Sequence, residues 1–484
     1  MSTADTALAE DFPVADRAQW LALVERILDG AGLEDRLVSR TASGLEIQPL
    51  YVAAETPEPL RRRTPDPQRP WDLRTRVGHP DPRLANGEIL ADLAGGAGSI
   101  LLSIDPSAAE GAAIGSAPAL GEALDGVLLE LAPVALDAGF LGPAAADWLA
   151  AAAKASPPAL LEFHLDPLSA LAVSGRSPGP IESHLIRAAT TAARLAESYP
   201  RAGLFLASGR PVHEAAGSEA LELGLAAASA VAYAKALARA GLAAPQALRR
   251  ITLGLCADAD YGLTLAKLRA ARRIWDRIAA AWNCDAPARI EAVSSRRMLT
   301  GADPWSNMLR LTAAGLGAAL GGADAIILGA FTDALGPPTA FARRQSRTIQ
   351  LVLMEEAHLG RVFDPLAGSG YVEALTDHMA RAGWAALQAI ERQGGVVAAL
   401  RAGWIAQEAA QTLGARRAAI ADGRAPILGV TAYPDAAGQA PTTATPDRAA
   451  LATTGPSARL PGPDTVVAPL IPQGLAAPFE AARP

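Results

Sequence analysis

Cysteine and lysine are scarce in this sequence, and each shortage argues against a class of protein. The 484 residues include two cysteines, Cys256 and Cys284, which form neither a C-x-x-C pair nor a metal-ligand spacing. This usage argues against a disulfide scaffold or a zinc motif and indicates a reducing compartment. Lysine occurs three times, the net charge is −7, and the only basic block is the arginine triplet at 61–63. We therefore expect no nucleic-acid partner.

Long apolar runs and targeting signals are also missing. No run of 18 apolar residues occurs, and the acidic first 13 residues lack the apolar stretch of a signal peptide. We therefore expect a cytoplasmic protein without a membrane partner. Apolar residues still make up 50% of the chain, which is enough for the core of a large domain with extensions.

Short β-like runs alternate with longer stretches of helical periodicity over the middle of the chain. The eight runs cover residues 71–77, 99–104, 126–132, 160–165, 203–208, 250–255, 289–294 and 324–330. The clearest helical stretch is 259–282, where apolar residues recur at the spacing of one helix face. Eight such units predict an α/β fold of the (β/α)₈ TIM-barrel type, and an open doubly wound sheet is the alternative.

Composition divides the chain into four parts. Residues 1–70 combine one predicted helix with a proline-rich extended arm that is suited to subunit contacts, and residues 71–335 form the barrel. Residues 336–432 are predicted to form a helical extension packed on the barrel. Residues 433–484 contain ten prolines and no apolar periodicity, so we expect a disordered Pro/Ala-rich tail.

A glycine-rich string, D-P-x-x-G-S-G, runs from Asp364 to Gly370. Similar strings bind S-adenosylmethionine in some nucleic-acid methyltransferases. That interpretation requires a strand before the turn and a second motif, Asp/Asn-Pro-Pro-Tyr/Phe, which the sequence lacks. The string also departs from G-x-G-x-x-G, because Glu373 stands at the third glycine's place. We interpret it as a structural turn in which glycines permit positive φ.

Five long segments follow the order of motifs in one known family. They are 208–236, similar to S-G-Y-H-x-x-E-A-G, then 265–278, 303–357, 362–395, similar to D-P-x-x-G-S-x-Y-V-E-x-L-T, and 415–434. Together they resemble the adenosylcobalamin-dependent methylmalonyl-CoA mutases over about residues 40–434. The resemblance implies a (β/α)₈ barrel around coenzyme A, with cobalamin carried on a histidine in D-x-H-x-x-G of a separate C-terminal domain.

The family's acyl-pocket groups are replaced at several positions. In the implied register, Arg76 stands at the tyrosine of R-x-Y-A-G and His164 at the glutamine of T-I-Q-N-D. A carboxylate-binding arginine falls on Leu185, and residues 289–305 contain no histidine for R-x-H-x-Q-T-S-G. His213 remains in the S-G-Y-H-like region. We expect these to be degenerate pocket positions and assign no catalytic, cofactor-binding or metal-binding residue.

The cobalamin motif D-x-H-x-x-G does not occur in the sequence, so we expect no cobalamin-binding domain and no cofactor on this chain. The resemblance then implies a small, non-catalytic subunit that stabilises a large catalytic mutase subunit in a heterodimer, with adenosylcobalamin in that partner. The alternative is a catalytic barrel for a related acyl-CoA that receives cobalamin from a separate B12-binding protein. Arg76 and His164 leave a vestigial acyl-CoA contact open. A freestanding metabolite-binding barrel is a third possibility.

Overall fold

An N-terminal arm precedes the main body of the protein. The computed structural model describes residues 16–53, 58, 60–61, 66, 68–156, 158–434, 439–453, 455 and 459–481. The arm contains helices α1 (Arg17–Leu28) and α2 (Leu33–Leu37), followed by the antiparallel pair β1 (Ser39–Arg40) and β2 (Glu46–Ile47). Asp16 caps α1 through a capping box with Gln19, which satisfies backbone groups at the first turn.

The body is a closed barrel of eight parallel strands, which confirms the predicted (β/α)₈ fold. The strands are β3 (Asp72–Val77), β4 (Ser99–Ser103), β5 (Val134–Asp137), β6 (Leu161–Leu165), β7 (Gly203–Ser208), β8 (Ile251–Ala257), β9 (Ile290–Ser294) and β10 (Ala325–Ile327). Each strand pairs with its chain neighbour, and β10 closes the ring by pairing with both β9 and β3. The alternative of an open doubly wound sheet is therefore wrong.

Helices surround the barrel, as right-handed crossovers between parallel strands require. They are α3 (Pro82–Ala94), α4 (Ala117–Ala123), α5 (Gly142–Ala152), α6 (Pro167–Ser174), α7 (Ile181–Ser198), α8 (Arg210–Glu214), α9 (Glu219–Arg239), α10 (Ala244–Leu248), α11 (Tyr261–Ala281), α12 (Asn307–Leu320) and α13 (Ala340–Leu351). Short 3₁₀ turns occur at Gly139–Leu141 and Ala153–Ala155, and a π-helical turn at Val352–Glu356 follows α13.

The apolar stripe predicted for residues 259–282 forms the inner face of α11. Its members Leu268, Ile274, Trp275 and Ile278 are buried against the strands. Helix α9 is long and apolar enough to cross a membrane, yet 72% of its most apolar window is buried inside the protein. That degree of burial is typical of the core helix of a soluble protein.

The third barrel strand differs from its predicted position. We expected it at residues 126–132, but the structure forms β5 at Val134–Asp137, and the preceding segment turns at the surface. Leu131 in that segment is 70% exposed. Pro133 has no N–H to give to a ladder, although its carbonyl accepts from Ile100, so the strand begins after it. The longer apolar run upstream misled the sequence interpretation.

A helical layer follows the barrel and packs on one side of it. It comprises α13 together with α14 (Gly370–Arg392), α15 (Val396–Arg401) and α16 (Trp404–Ala421), and α14 lies across α9 and α11. Glycines permit this close packing, because a Cβ at Gly224 would lie 2.6 Å from the side chain of Ala386. Helices thus cover most of residues 340–421.

The glycine-rich string is a structural turn at the start of α14. Asp364 and Gly368 adopt φ values of 48° and 85°, and Ser369 caps the helix by accepting from Val372. A Cβ at Gly370 would overlap the carbonyl oxygen of Val52 in the arm. No strand precedes this turn, because residues 357–369 form turns and bends in the described chain. The turn lacks the βαβ setting of a nucleotide site.

The C-terminal segment differs from the expected disorder. Short helices form at α17 (Arg448–Leu451) and α18 (Ala477–Glu480), and Leu470 is buried. Ser177 donates its backbone N–H to the carbonyl of Thr465, and similar bonds recur along residues 439–481 where they are described. Proline-rich backbone needs no helix or sheet of its own when its carbonyls pair with loops of another unit. The prediction of disorder therefore fails for the described part of the tail.

The glycine-rich turn before α14 is anchored by a fully buried arginine. Arg269 on α11 forms ion pairs with Asp364 and Glu373, and both carboxylates are largely buried. We predict that Arg269→Met lowers the free energy of unfolding by about 3–5 kcal/mol, because the buried Asp364 loses its ion-pair partner and Glu373 keeps only Arg273. Urea denaturation would measure this. Arg381→Ala is the control: its pair with Asp377 on α14 is exposed, so the change should stay within about 0.5 kcal/mol.

Candidate functional site: the polar barrel interior and its mouth

The C-terminal ends of the strands form the mouth of the barrel, where (β/α)₈ proteins place their active sites. Alternate residues of each strand point inward. In the upper interior, Leu101, Ala135, Val293 and Ile327 form a small apolar cluster separate from the main core. The charged side chains of β3, β6 and β9 surround this cluster, so the interior is largely polar.

Arg74 and Glu291 form the central ion pair of the interior. Arg74 Nη1 donates to Glu291 Oε2 at 2.7 Å, Nη2 donates to Asp72 Oδ2 at 2.9 Å, and Nε donates to Ser99 Oγ at 2.8 Å. Burial lowers the pKa of Arg74, but the carboxylates of Asp72, Glu291 and Glu162 raise it by more. The pKa of Arg74 therefore lies above its ordinary value. The guanidinium is therefore charged, with every donor nitrogen paired, and it joins β3 to β9 across β10.

His164 lies inside the barrel next to this pair. Its ring nitrogens are 3.7 Å from Glu162 Oε2 and 4.0 Å from Glu291 Oε2, and neither ring nitrogen has a hydrogen-bond partner. Its φ of 45° accompanies an irregularity in the β6–β7 register. Burial lowers the pKa of His164 to about 3; Glu162 opposes this shift, and nearby arginines, Arg74 among them, add to it. The imidazole is therefore neutral near pH 7.

Two further arginines complete the interior network. Arg289 forms an ion pair with Glu162, and Arg210 Nη1 lies 3.5 Å from Glu291 Oε1. Arg210 follows β7 directly, so it reaches the network from the mouth. The carboxylates and guanidiniums thus neutralise one another within the barrel.

Arg76 lies one layer above the ion pair, at the mouth itself. Its Nε donates to Ser103 Oγ at 2.8 Å and its Nη2 to Asp137 Oδ2 at 3.3 Å. The side chains of Arg76 and Asp137 are 42% and 44% exposed. An exposed pair of this kind is worth about 0–1 kcal/mol, so Arg76 is available to a ligand at little cost.

Leu185 does not join the other predicted positions. It lies on α7 outside the barrel, half-buried against the main core. The neighbouring His184 is buried against Phe140, with ring centroids 4.7 Å apart. The structure therefore brings Arg76 and His164 to the barrel and leaves Leu185 in the helical shell.

His213 belongs to a second buried network beside the ends of β8 and β9. Its Nδ1 lies 2.8 Å from Glu222 Oε2 and its Nε2 3.0 Å from Ser295 Oγ. Lys267 Nζ donates to Glu222 Oε2 at 2.6 Å. Burial raises the pKa of Glu222, but Lys267 and His213 lower it more, to about 2. Cys256 N–H also donates to Glu222 Oε1 at 2.6 Å, so Glu222 is a buried carboxylate with three partners.

This second network resembles a nucleophilic triad in its distances but fails on access. Ser295, His213 and Glu222 are all fully buried, and Lys267 shares the carboxylate that would orient the histidine. Cys256 lies close enough to His213 and Glu222 to complete a set of three metal ligands. The ammonium of Lys267 already supplies positive charge there. The cluster therefore does not fit a divalent cation, and we assign it a packing role.

Arg74, Glu162, Arg289, Glu291 and Arg210 are site residues that sequence reasoning missed, and the last two fill positions of the family motifs. Aligning Arg289 with the first arginine of R-x-H-x-Q-T-S-G puts Glu291 at the motif's histidine. Aligning Ser208-Gly209 and Glu214-Ala215 with S-G-Y-H-x-x-E-A puts Arg210 at the tyrosine and Pro211 at the histidine. His213 thus falls on an unspecified position of the motif. Counting the motif positions was enough to find both residues.

A surface cleft at the opposite end of the barrel does not reach this interior. It measures about 650 Å³ and is lined by residues before β3, including Arg69, by Glu355 of the π-helical turn, and by residues after that turn, including His358 and Arg361. Its charges are mixed. The cleft therefore does not select one ligand chemistry.

Comparison with known proteins extends these observations. The architecture defines the class: a closed (β/α)₈ barrel with a polar interior and a helical layer after the last strand. A family-wide sequence profile described as "Methylmalonyl-CoA mutase" matches residues 62–455. The chain belongs to the methylmalonyl-CoA mutase family.

Individual relatives give the same family and a subunit type. The chain is 40% identical to the "Methylmalonyl-CoA mutase small subunit" of Streptomyces virginiae, over 88% of this chain and 72% of that protein. It is 32% identical to the "Methylmalonyl-CoA mutase small subunit" of Propionibacterium freudenreichii subsp. shermanii, over 88% of this chain and 70% of that protein. It is 28% identical to the "Methylmalonyl-CoA mutase" of Escherichia coli K12, over 82% of this chain and 61% of that protein.

The central ion pair can be tested by a double-mutant cycle. We predict that Arg74→Met and Glu291→Leu each lower the free energy of unfolding by about 3–5 kcal/mol, because each breaks a buried ion pair and removes the nearest opposite charge from the side chain that remains. The double variant should be less destabilised than the sum of the two by at least about 1 kcal/mol. Additive losses, measured by chemical denaturation, would show that the two side chains do not act as a pair.

The state of His164 gives a pH-dependent prediction. Its pKa falls from 6.5 to about 3 on folding, so the unfolded chain binds the proton more tightly. The contribution of His164 to stability is therefore complete above pH 6.5 and is lost as the pH falls towards 3. Between these values, the free energy of unfolding of the wild type should fall relative to that of His164→Gln by about 1.4 kcal/mol per pH unit. The exposed His378→Gln should track the wild type.

Proposed function

We propose that this chain is the small subunit of a heterodimeric methylmalonyl-CoA mutase, that it does not itself catalyse the rearrangement, and that it stabilises a larger catalytic subunit. The barrel interior carries this proposal. The motif positions for the family's polar pocket groups hold Arg76, His164, Arg210 and Glu291. Arg210 and Glu291 lie in the paired network around Arg74, and the neutral His164 lies beside it. Separating those charges to admit an acyl group would leave buried ions uncompensated.

The two buried histidines of the candidate site, His164 and His213, do not fit a cobalt ligand. A corrin needs a histidine nitrogen that faces open space. His213 uses both nitrogens in its buried network, and His164 is enclosed by Glu162, Glu291 and arginines. His378 is exposed on the outside of α14. We therefore propose that adenosylcobalamin, which supplies the radical chemistry, resides in the partner.

The N-terminal arm offers a surface for that partner. Helix α1 has no buried residue in the described chain, and its Ile27 is 81% exposed. The apolar positions Trp20, Leu21, Val24 and Leu28 recur at helical spacing beside Ile27. These four side chains are half-buried, and an apolar face that is only partly covered is typical of subunit interfaces. We propose that the catalytic subunit covers it, within an obligate-type interface of about 2,000 Å² or more.

The exposed pair Arg76–Asp137 favours a second candidate. A guanidinium at the mouth suits the carboxylate of an acyl group. In this alternative the barrel is the catalytic part of a related acyl-CoA mutase and receives cobalamin from a separate B12-binding protein. The acyl-CoA can be titrated into the protein while nitrogen-detected NMR records the guanidinium groups. A saturable shift of the Arg76 resonance would favour this candidate. Loss of that effect in Arg76→Gln would locate the contact.

Pairing is tested by co-expressing the chain with a large mutase subunit, purifying through a tag on the large subunit, and assaying succinyl-CoA formation. We expect co-purification, and a large subunit that is more stable and more active with this chain than without it. Ile27→Asp should weaken the pairing at least tenfold by burying a charge in an apolar contact (about 1.4 kcal/mol or more). Glu25→Ser, on the opposite side of α1, is the matched control and should leave the affinity unchanged.

Two results would count against this proposal. One is succinyl-CoA formation by this chain in the absence of any large subunit. The other is full stability and activity of the large subunit alone, with no binding to this chain.

A further inference from the structure

Charged side chains of alternating sign surround the opening of the barrel mouth. Two of them lie at the ends of β3 and β5, two lie on α8 after β7, and two lie in the loops after β9 and β10. In chain order the signs are positive, negative, positive, negative, positive and negative. These residues, here called the charge ring, are Arg76, Asp137, Arg210, Glu214, Arg296 and Asp333.

The carboxylate of Asp333 lies over the end of β10, inside the mouth. Ile327 belongs to the apolar cluster of the interior and Leu328 to the outer core, so the inward side comes next at Gly329. A Cβ at Gly329 would lie 2.5 Å from Asp333 Oδ2, so the glycine leaves the space that this carboxylate occupies. Ala330 N–H donates to Asp333 Oδ2 at 3.1 Å and holds it there.

Glu214 and Arg296 meet beside the end of β8. Glu214 Oε1 accepts from Arg296 N–H at 3.1 Å, and Cys256 Sγ lies 3.5 Å from the same oxygen. Glu214 Oε2 is buried and has no hydrogen-bond partner among the described residues. The side chain of Arg296 is exposed, and its guanidinium forms no ion pair with the carboxylates that the structure describes. A donor for Glu214 and an acceptor for Arg296 are therefore still needed.

The pairing of charges around the opening is incomplete. Arg76 pairs with Asp137 at 3.3 Å, whereas Asp333 forms no ion pair within the described chain. Arg296 and Arg76 still lie close enough to Asp333 to oppose the rise that burial causes in its pKa. Other charged groups near the strand ends have partners away from the opening: Asp258 with Arg297, Asp166 with Tyr233, and Arg343 with Asp92.

A ring of this kind favours a ligand that carries both signs. A simple anion would meet carboxylates beside the guanidiniums, and a simple cation would meet guanidiniums beside the carboxylates. A small zwitterion can place its carboxylate on Arg296, which presents donors for two oxygens, and its ammonium on Asp333. The side chains of Arg76 and Asp137 are 42% and 44% exposed, so a small molecule can reach the opening.

We propose that the charge ring is a binding site for a small zwitterion, a molecule such as an amino acid that carries one ammonium and one carboxylate. Arg296 and Asp333 are its main contacts, and Glu214 Oε2 is a further acceptor for the ammonium. This site belongs to the chain alone and does not depend on pairing with a larger subunit. It also differs from an acyl-CoA contact at Arg76, because an acyl-CoA brings no cation for the carboxylates.

The class of ligand is tested on the purified full-length chain by NMR titrations that observe the ligand. Glycine, β-alanine and 4-aminobutyrate serve as zwitterions with increasing separation between the two charges. Each is compared with the matched carboxylate (acetate, propionate or butyrate) and the matched amine (methylamine, ethylamine or propylamine). We expect at least one zwitterion to bind at least about tenfold more tightly than both of its matched compounds, because only the zwitterion makes a charge-assisted contact at each end.

The position of the site is tested with Arg296→Gln and Asp333→Asn. Each removes one charge, and asparagine keeps an oxygen that accepts from Ala330. Each should weaken binding of the zwitterion at least about tenfold. Arg344→Gln, an exposed position on α13 outside the charge ring, is the matched control and should bind as the wild type.

Three results would overturn this proposal. They are equal affinity for a zwitterion and its matched carboxylate, no saturable binding of any of the three zwitterions, and unchanged binding in both ring variants. Co-expression with a large subunit tests the proposed function separately, so the two proposals can fail independently.

Discussion

The buried ion pair between Arg74 and Glu291 is the constraint around which the barrel interior is arranged. It joins β3 to β9 across the closing strand β10, and it accounts for the positions of Asp72 and Ser99 around the guanidinium. It also places a carboxylate at a motif position where the family has a histidine. His164 is neutral because it lies among these charges in a space that water does not reach. The interior is therefore a self-compensating set of charges.

Much of the fold could be predicted from the sequence, because it depends on local periodicity. Seven of the eight predicted strands overlap observed ones, and the apolar stripe of α11 faces the core as expected. The strand β5 was misplaced because its short apolar segment follows a longer run that lies at the surface. The order of the C-terminal segment was missed because its hydrogen bonds go to distant loops, and no pattern within that segment indicates such partners.

The candidate site was less predictable, since it depends on which side chains meet across the barrel. The motif register found Arg76 and His164, and the structure places both in the barrel. It could not show that His164 sits between two carboxylates, or that His213 turns away into a network with Glu222 and Lys267. Charge pairing between β3, β6 and β9 joins residues more than one hundred positions apart, so spacing along the chain carries little information about it.

A mutase-family barrel whose interior is neutralised by its own side chains supports the proposed non-catalytic role. The most direct measurement is titration of the purified chain, without partners, into adenosylcobalamin and methylmalonyl-CoA. Corrin absorbance and succinyl-CoA would be followed together. The account predicts an unchanged corrin spectrum and no succinyl-CoA. A saturable spectral change accompanied by succinyl-CoA formation would contradict it.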